Sequence, residues 1–296
     1  MGMKGFKGFE KDFSCRGKQY EENTTYEEHG VGCCHKGVMH FCEDPWEVLN
    51  HYDLVDDNGN FSEFAEVEAL GQVWNDGEKR ATNKIHIGAK LGLKGFLKAC
   101  IDFTLEKTKY ESNGTNLPGN YAQIGSSGDS AQIGSSGNSA QIGSSGDSAQ
   151  IGSSGNYAKI GSSGNSAQIG SSGDSAQIGS SGYYAQIGSS GNYAKIGSSG
   201  NSAQIGSSGD SAQIGSSGDS AKINSTGEDA VIMCAGSRSK AKGKKGSWIT
   251  LAEWVKDEEK GRYVPVCVKT ERVDGEKIKE DTYYTLKNGE FVEAEE

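Results

Sequence analysis

The stretch AQIGSSGDSAQIGSSGNS, residues 122–139, contains one nine-residue unit twice, and the unit recurs until about residue 229. Its consensus is A-(Q/K)-I-G-S-S-G-(D/N)-(S/Y). Ala and Ile are two residues apart, so in a strand they share one face while Gln or Lys faces the opposite way. The glycines can supply positive φ angles, and the Asp or Asn can bond a backbone group in a turn. A strand and a turn repeated every nine residues predict a parallel β-solenoid.

The length of one coil follows from the repeat length. Nine residues are short for a coil with two faces, whereas two repeats, eighteen residues, close a coil comfortably. The block GNYAKIGSSGNSAQIGSSGDS begins at Gly155 and again at Gly191, a spacing that keeps both copies on one face of an eighteen-residue coil. About twelve repeats then form roughly six coils, a rod roughly 30 Å long at about 4.8 Å per coil.

Changes in composition divide the chain into three segments. We predict a small α+β N-terminal domain over residues 1–118, a β-solenoid over residues 119–246 and a β-rich C-terminal cap over residues 247–296. PWEVLNHY, residues 45–52, predicts a helix that Asp44 caps. Asn288-Gly289 predicts a hairpin turn. The predicted fold class is therefore mainly β, with the flanking segments closing the ends of the rod.

The charge balance and the cysteine count restrict partners and location. The chain of 296 residues has a net charge of −10, whereas holding nucleic-acid phosphates needs a basic stripe, so we do not expect nucleic acid as a partner. The basic run SRSKAKGKKG, residues 237–246, is interpreted as a solvated sheet edge, with nucleic-acid contact as the alternative. No apolar run has the length of a signal peptide or a membrane span, so we expect a cytoplasmic protein without membrane contact. Seven cysteines without an export signal are then expected as reduced thiols.

The C-terminal end of the repeat shows a resemblance to a known fold. Ser239, Ala241 and Gly243 have the spacing S-x-A-x-G. This is the spacing of trimeric autotransporter adhesin heads, and the repeat resembles their left-handed β-roll. The resemblance implies a β-roll and raises a trimer and a virion or adhesin-like structural fibre as alternatives.

The chain as a whole resembles an uncharacterised family of bacterial and phage proteins. The resemblance rests on KGF at Lys4–Phe6, CRG at Cys15–Gly17, Tyr20, HFCEDPWEVLNHY at His40–Tyr52, and the C-terminal segments GSWITLAE and TYYTLKNGEFVE. It implies an origin in a phage or another mobile element and brings no activity with it.

One cluster of cysteine and histidine residues offers candidate metal ligands. Cys34, His40 and Cys42 are candidate zinc ligands because sulfur and imidazole suit zinc. The cluster lacks a C-x-x-C pair, and small buried hydrophobic residues are the favoured interpretation. Calcium-binding nonapeptide rolls share the glycine spacing, but here the acid comes one position early and is often Asn. We therefore expect no metal and no cofactor.

An enzymatic alternative rests on a second resemblance. Arg16-Gly17, the segment HFCEDPWEVLNHY and Glu68 follow one another in an order similar to the motifs of ADP-ribosyltransferase domains. The resemblance implies that Arg16 holds the dinucleotide phosphates and that Glu68 steadies the ribose. HFCED stands where those enzymes carry Ser-Thr-Ser, and ordinary alternating strand residues account for the same pattern.

Tyrosines in the repeat indicate a binding surface. Tyr121, Tyr157 and Tyr193 are thirty-six residues apart, so they lie on one face, and Lys159 and Lys195 follow two of them closely. Exposed tyrosines offer a large contact area at a low entropy cost, which suits protein recognition. Copying of a neutral variant during repeat expansion explains the spacing equally well.

Taken together, the sequence favours a non-enzymatic interaction or scaffold protein. We expect a phage-encoded or mobile-element-encoded chain that binds a protein partner, with inhibition of a host defence system as one use. A homo-oligomer, dimer or trimer, is a further expectation. The ADP-ribosyltransferase-like enzyme and the structural fibre are the alternatives.

Overall fold

The computed structural model describes residues 2–33, 36–55, 60–108, 115–116 and 119–294. The chain divides into two compact units, one formed by Met1–Asp56 with Asn60–Phe103 and the other containing Thr104–Glu296. Among the described residues, no helix is both long and apolar enough to cross a membrane.

Short antiparallel sheets and two helices build the N-terminal unit, and the second helix continues past the boundary at Phe103. Its elements in chain order are β1 (Met3–Phe9), β2 (Ser14–Cys15), β3 (Lys18–Gln19), β4 (Thr24–Glu27), β5 (Met39–Phe41), α1 (Pro45–Val48), β6 (Glu63–Ala69), β7 (Val73–Asp76), β8 (Lys79–Thr82), β9 (Lys84–Lys90) and α2 (Gly92–Thr108). One sheet has the strand order β1-β6-β9-β4 and a second has the order β5-β8-β7, while β2 and β3 form a hairpin.

The start of α1 forms as the sequence predicts. The Asp44 carboxylate accepts the backbone N–H of Trp46 at 2.8 Å, and Pro45 occupies the first turn. Trp46 is fully buried in a cluster that also contains the stacked rings of Phe64 and Phe96. The helix is shorter than predicted, ending at Val48, after which turn hydrogen bonds continue the path of the chain.

The second unit is a parallel β-solenoid of about seven turns over residues 123–251, followed by antiparallel strands. Its strands are β10 (Thr115–Asn116), β11 (Gln123–Ser126), β12 (Gln132–Ser135), β13 (Gln141–Ser144), β14 (Gln150–Ser153), β15 (Lys159–Ser162), β16 (Gln168–Ser171), β17 (Gln177–Ser180), β18 (Gln186–Ser189), β19 (Lys195–Ser198), β20 (Gln204–Ser207), β21 (Gln213–Ser216), β22 (Lys222–Ser225), β23 (Val231–Cys234), β24 (Lys240–Lys242), β25 (Trp248–Asp257), β26 (Arg262–Arg272), β27 (Tyr284–Lys287) and β28 (Glu290–Glu293). The predicted fold class, mainly β with a parallel solenoid, is confirmed.

Alternate repeats form two separate sheets. Strands β11 to β25 with odd numbers form the odd sheet, and strands β10 to β24 with even numbers form the even sheet. In the odd sheet Ile124 aligns with Ile142, and Ile142 aligns with Ile160, so one coil contains two repeats. This is the coil that the sequence predicts.

The rod has more than the roughly six predicted coils because the pattern of inward apolar residues continues along the chain after the last consensus repeat. Ile232 aligns with Ile214, and Ile249 aligns with Ile232, although the residues around them have left the consensus. The inward position stays apolar, with the fully buried Ala241 in place of Ile on β24, whereas outward positions change. The C-terminal hairpin of β27 and β28 turns at Asn288-Gly289, both with positive φ, as predicted.

The corners of the coils are joined by a side-chain ladder. The N–H of Asp147 donates to Asp129 Oδ1 at 3.0 Å, and the N–H of Asp174 donates to Asn156 Oδ1 at 2.8 Å. Because only the side-chain oxygen takes part, Asp and Asn serve equally, and the repeat uses both.

The prediction that the glycines supply the positive φ angles of the turn is wrong. Positive φ falls on the ninth residue, whether serine or tyrosine, as at Ser148 (55°) and Tyr157 (58°). The second glycine of the repeat instead permits coils to approach each other. A Cβ on Gly164 would lie 1.9 Å from the carbonyl oxygen of Gly146 in the preceding coil.

A row of serines lies inside the rod beside the isoleucines. Ser153, Ser171 and Ser189 are fully buried, and their hydroxyls have no hydrogen-bond partner among the described residues. In the odd sheet, where the serines at this repeat position are also buried, Ser216 aligns with Cys234, and Cys234 aligns with Leu251 at the end of the rod. The site therefore accepts apolar side chains.

We expect Ser171→Ala to raise the free energy of unfolding by about 1 kcal/mol, because a buried hydroxyl without a partner costs desolvation energy. Denaturant titration of the full chain measures the change. Ser172→Ala, at the half-buried neighbouring serine, is the control and should shift stability by less than about 0.5 kcal/mol. A loss of stability for Ser171→Ala would show that its hydroxyl bonds in solution.

Candidate functional site

The outward surface of the odd sheet, called the odd face here, carries a long groove. Its side chains from the second position of the repeat are exposed and comprise Gln123, Gln141, Lys159, Gln177, Lys195 and Gln213. The fourth position is glycine, and a Cβ added to Gly143 or Gly161 would meet nothing within 4 Å. The missing side chains leave a shallow groove of about 1160 Å³ that extends along the rod to Val231 and Met233.

The even sheet differs from the odd sheet although its sequence is the same. Gln168 is only 6% exposed, and Gly170 beside it is buried. The equivalent residues of β15 and β17 on the odd face are exposed. Among the described residues, the second-position side chains of the odd sheet are therefore more exposed than those of the even sheet.

The predicted tyrosines stand along one corner of the odd sheet. Tyr121, Tyr157 and Tyr193 are 75%, 61% and 63% exposed, and their left-handed backbone directs each side chain away from the core. Two coils separate each from the next, about 9.6 Å at 4.8 Å per coil. Tyr184 has the same conformation and 65% exposure but belongs to the corner before an even strand.

The predicted lysines lie in the same rows of the odd face. Lys159 aligns with Gln177, which aligns with Lys195, so the two lysines are also two coils apart. Neither side chain forms an ion pair within the described part of the chain. The structure thus brings all five predicted binding residues to one side of the rod, with unpaired positive charge and no carboxylate in the second-position row.

A second candidate site is a cavity of about 650 Å³ in the N-terminal unit. Aromatic rings line its apolar part, including the buried Tyr20 and Phe41. The cationic side chains that line it are Lys7, Arg16, Lys18, Lys36 and Lys79. Glu28 also lines the cavity and is paired with Lys18.

Lys7 is the most buried of these cations, with 5% exposure. Its Nζ donates to Cys15 Sγ at 3.3 Å and to the carbonyl oxygen of His40 at 3.0 Å. The hydroxyl of Tyr52 donates to the same sulfur at 2.8 Å. Burial lowers the pKa of the Lys7 ammonium group, and burial with the Cys15 hydrogen bond raises the pKa of the Tyr52 hydroxyl. Two donors therefore converge on the thiol at the cavity wall.

The two candidate catalytic residues are not brought together at this cavity. Arg16 occupies the turn between β2 and β3, with φ of 52°, and lines the cavity. Glu68 lies on β6, where its Oε1 accepts the backbone N–H of Gly2 at 2.8 Å. It is not among the described residues that line the cavity.

The candidate metal ligands have ordinary surroundings where the structure describes them. Cys34 lies outside the described residues. His40 Nε2 is 3.6 Å from an Asp76 carboxylate oxygen, and burial raises the pKa of the Cys42 thiol to about 12. In the described ranges, no three His, Cys, Asp or Glu side chains are grouped as a metal site.

Comparison with known proteins adds one finding. The sequence model of a domain of unknown function, DUF7666, matches residues 3–99, which include every residue that lines the cavity. No curated protein and no solved structure matches the chain.

Sequence reasoning did not identify the Lys7, Cys15 and Tyr52 cluster. Cys15 and Tyr52 belong to the motifs on which the resemblance to bacterial and phage proteins rests, and Lys7 begins a second copy of KGF. Their place in these motifs is the feature of the sequence that could have identified them as candidate site residues. Their contact could not be predicted, because up to 45 positions separate them in the chain.

Proposed function

We propose that the protein is a non-enzymatic interaction protein whose rod binds a protein partner along the odd face. The observation that carries the proposal is the exposed row of Tyr157 and Tyr193 beside the unpaired Lys159 and Lys195. Aromatic and cationic side chains around an open groove form a recognition surface, because rings supply contact area and cations supply charge selectivity.

The charge of the face favours an acidic partner segment. The second-position row of the odd face carries lysine and glutamine only, in a chain with net charge −10. Acidic side chains of such a segment would pair with the two lysines, and the exposed Asp174 and Asp210 lie in the coils next to Tyr157 and Tyr193.

The spacing of the face favours a polyproline II segment. Its tyrosines and lysines repeat about every 9.6 Å along the rod, at 4.8 Å per coil. Three residues of polyproline II helix rise about 9.3 Å and return to the same side. A β-strand places side chains on the same side about every 6.6 Å, and an α-helix completes one turn in about 5.4 Å. Neither period matches the spacing of about 9.6 Å between the tyrosines or lysines.

A labelled peptide, Glu-Pro-Pro repeated three times, tests this assignment by fluorescence anisotropy with the full chain. We expect binding that Lys159→Gln combined with Lys195→Gln weakens at least tenfold. Glutamine is the repeat's own residue at these positions, so the variant should keep its fold. A Lys-Pro-Pro peptide is the control, and no binding, or equal binding of both peptides, would contradict the assignment.

The wider setting of this interaction also belongs to the proposal. The partner would be a host protein in the bacterial cytoplasm, and the gene would come from a phage or another mobile element. Binding would then inhibit a host defence system. A dimer or trimer of the chain would multiply the odd faces available to one partner. Light scattering of the full chain gives the molar mass that decides this point.

A further inference from the structure

We propose that the cavity of the N-terminal unit binds a small phosphate ester, with the phosphate at Arg16 and Lys36 and the organic part against the aromatic wall. This site is separate from the odd face and does not depend on the function proposed for it.

The cations of the cavity outnumber its acids. Glu28 pairs with Lys18, and Asp76 lies 3.8 Å from Lys79. The side chains of Arg16 and Lys36 form no hydrogen bond or ion pair within the described part of the chain. Two cations with free donors at one cavity provide what a phosphate group requires, since a guanidinium and an ammonium can both bond its oxygens.

The buried Lys7 extends this positive lining inward. Its Nζ contacts a thiol and a carbonyl oxygen, and no carboxylate is among the groups that act on it. Burial lowers the pKa of the Lys7 ammonium group, and the Cys15 thiol beside it opposes that shift. An anion in the cavity would further stabilise the charged form of Lys7.

The apolar part of the cavity sets the size and type of ligand. Tyr20 and Phe41 are 4% and 2% exposed and line the cavity, so they form a fixed wall. A volume of about 650 Å³ lies within the range of small-molecule sites. Inorganic phosphate alone would leave this wall uncovered, whereas a sugar phosphate or a mononucleotide would cover it.

Isothermal titration calorimetry of the full chain with AMP, ribose 5-phosphate and inorganic phosphate tests the proposal. We expect at least one ester to bind, and to bind at least tenfold more tightly than inorganic phosphate. The difference between AMP and ribose 5-phosphate shows whether the wall holds a base or a sugar.

Two variants connect the binding to the cavity. Arg16→Asn places Asn before Gly17 in a two-residue turn that favours this pair, so it removes the guanidinium and keeps the hairpin. We expect it to weaken ester binding at least tenfold. Lys94→Gln, which removes an equal charge from the exposed surface of α2, should change binding by less than twofold.

Three results would overturn the proposal. They are the absence of binding by both esters, equal binding of inorganic phosphate and the esters, and ester binding that neither Arg16→Asn nor Lys36→Gln weakens. Circular dichroism of each variant separates a lost site from a lost fold.

Discussion

Gly164→Ala is expected to lower the free energy of unfolding of the rod by about 3 kcal/mol or more, because it forces two coils apart. The added Cβ would lie 1.9 Å from the carbonyl oxygen and 2.5 Å from the carbonyl carbon of Gly146. Both atoms belong to the backbone, so no side chain can rotate away to make room. Relief requires a shift of the ladder between coils, which every neighbouring repeat shares.

Gly161→Ala in the same repeat is the matched control. Its Cβ would point into the open groove and meet nothing within 4 Å, and its φ is not positive. We expect its stability to lie within about 1 kcal/mol of the natural chain. Chemical unfolding of both variants measures the difference, and equal stability would mean that the coils do not stack as closely as described.

Ile178→Ala is expected to lower the free energy of unfolding by about 2–5 kcal/mol, because Ile178 is the one large apolar side chain that its repeat contributes to the core and its loss leaves a cavity. Ile178 is 4% exposed and lies between Ile160 and Ile196 in adjacent coils. Repeats contact mainly their neighbours, so a gap in the middle of the rod weakens the interfaces on both sides.

Gln177→Ala is the control for the core substitution, since Gln177 precedes Ile178 on the same strand and faces outward. We expect a change below about 0.5 kcal/mol in the same unfolding experiment. A small effect at Ile178 together with a large one at Gln177 would mean that the strand presents its opposite face to the core.

The fold could be predicted largely from the repeat because its signal is local and periodic. The spacing of Ala and Ile sets the inward face, and two nine-residue units fill one coil, as the alignment of Ile124 with Ile142 shows. The terminal hairpin could be predicted from Asn288-Gly289 because this signal is also local, two adjacent residues that define the turn.

The candidate functional surfaces were less predictable because they depend on contacts between distant residues. The same segment SAQIGSSG gives an exposed Gln177 on the odd sheet and a buried Gln168 on the even sheet, and no local pattern distinguishes them. The cavity joins Lys7, Cys15 and Tyr52 from three elements of the N-terminal unit. The role of Gly164 was missed because it concerns the preceding coil rather than its own turn.

The repeat itself supplies variants that separate function from folding. Serine occupies the ninth position in most units, and glutamine occupies the second position in most units. Tyr157→Ser and Lys159→Gln therefore restore the consensus, and an effect of either on binding reports the lost side chain rather than a damaged coil.

Capture of protein partners from nuclease-treated bacterial lysate by the tagged full chain, with quantitative mass spectrometry, tests directly whether the odd face binds a protein. Three baits are compared, the natural chain, Tyr157→Ser with Tyr193→Ser, and Tyr184→Ser on the other corner. We predict one protein near stoichiometric amount on the natural chain and on Tyr184→Ser, reduced at least tenfold on the double variant. The same retention on all three baits, or no stoichiometric protein on any, would contradict the assignment of the odd face as the binding surface.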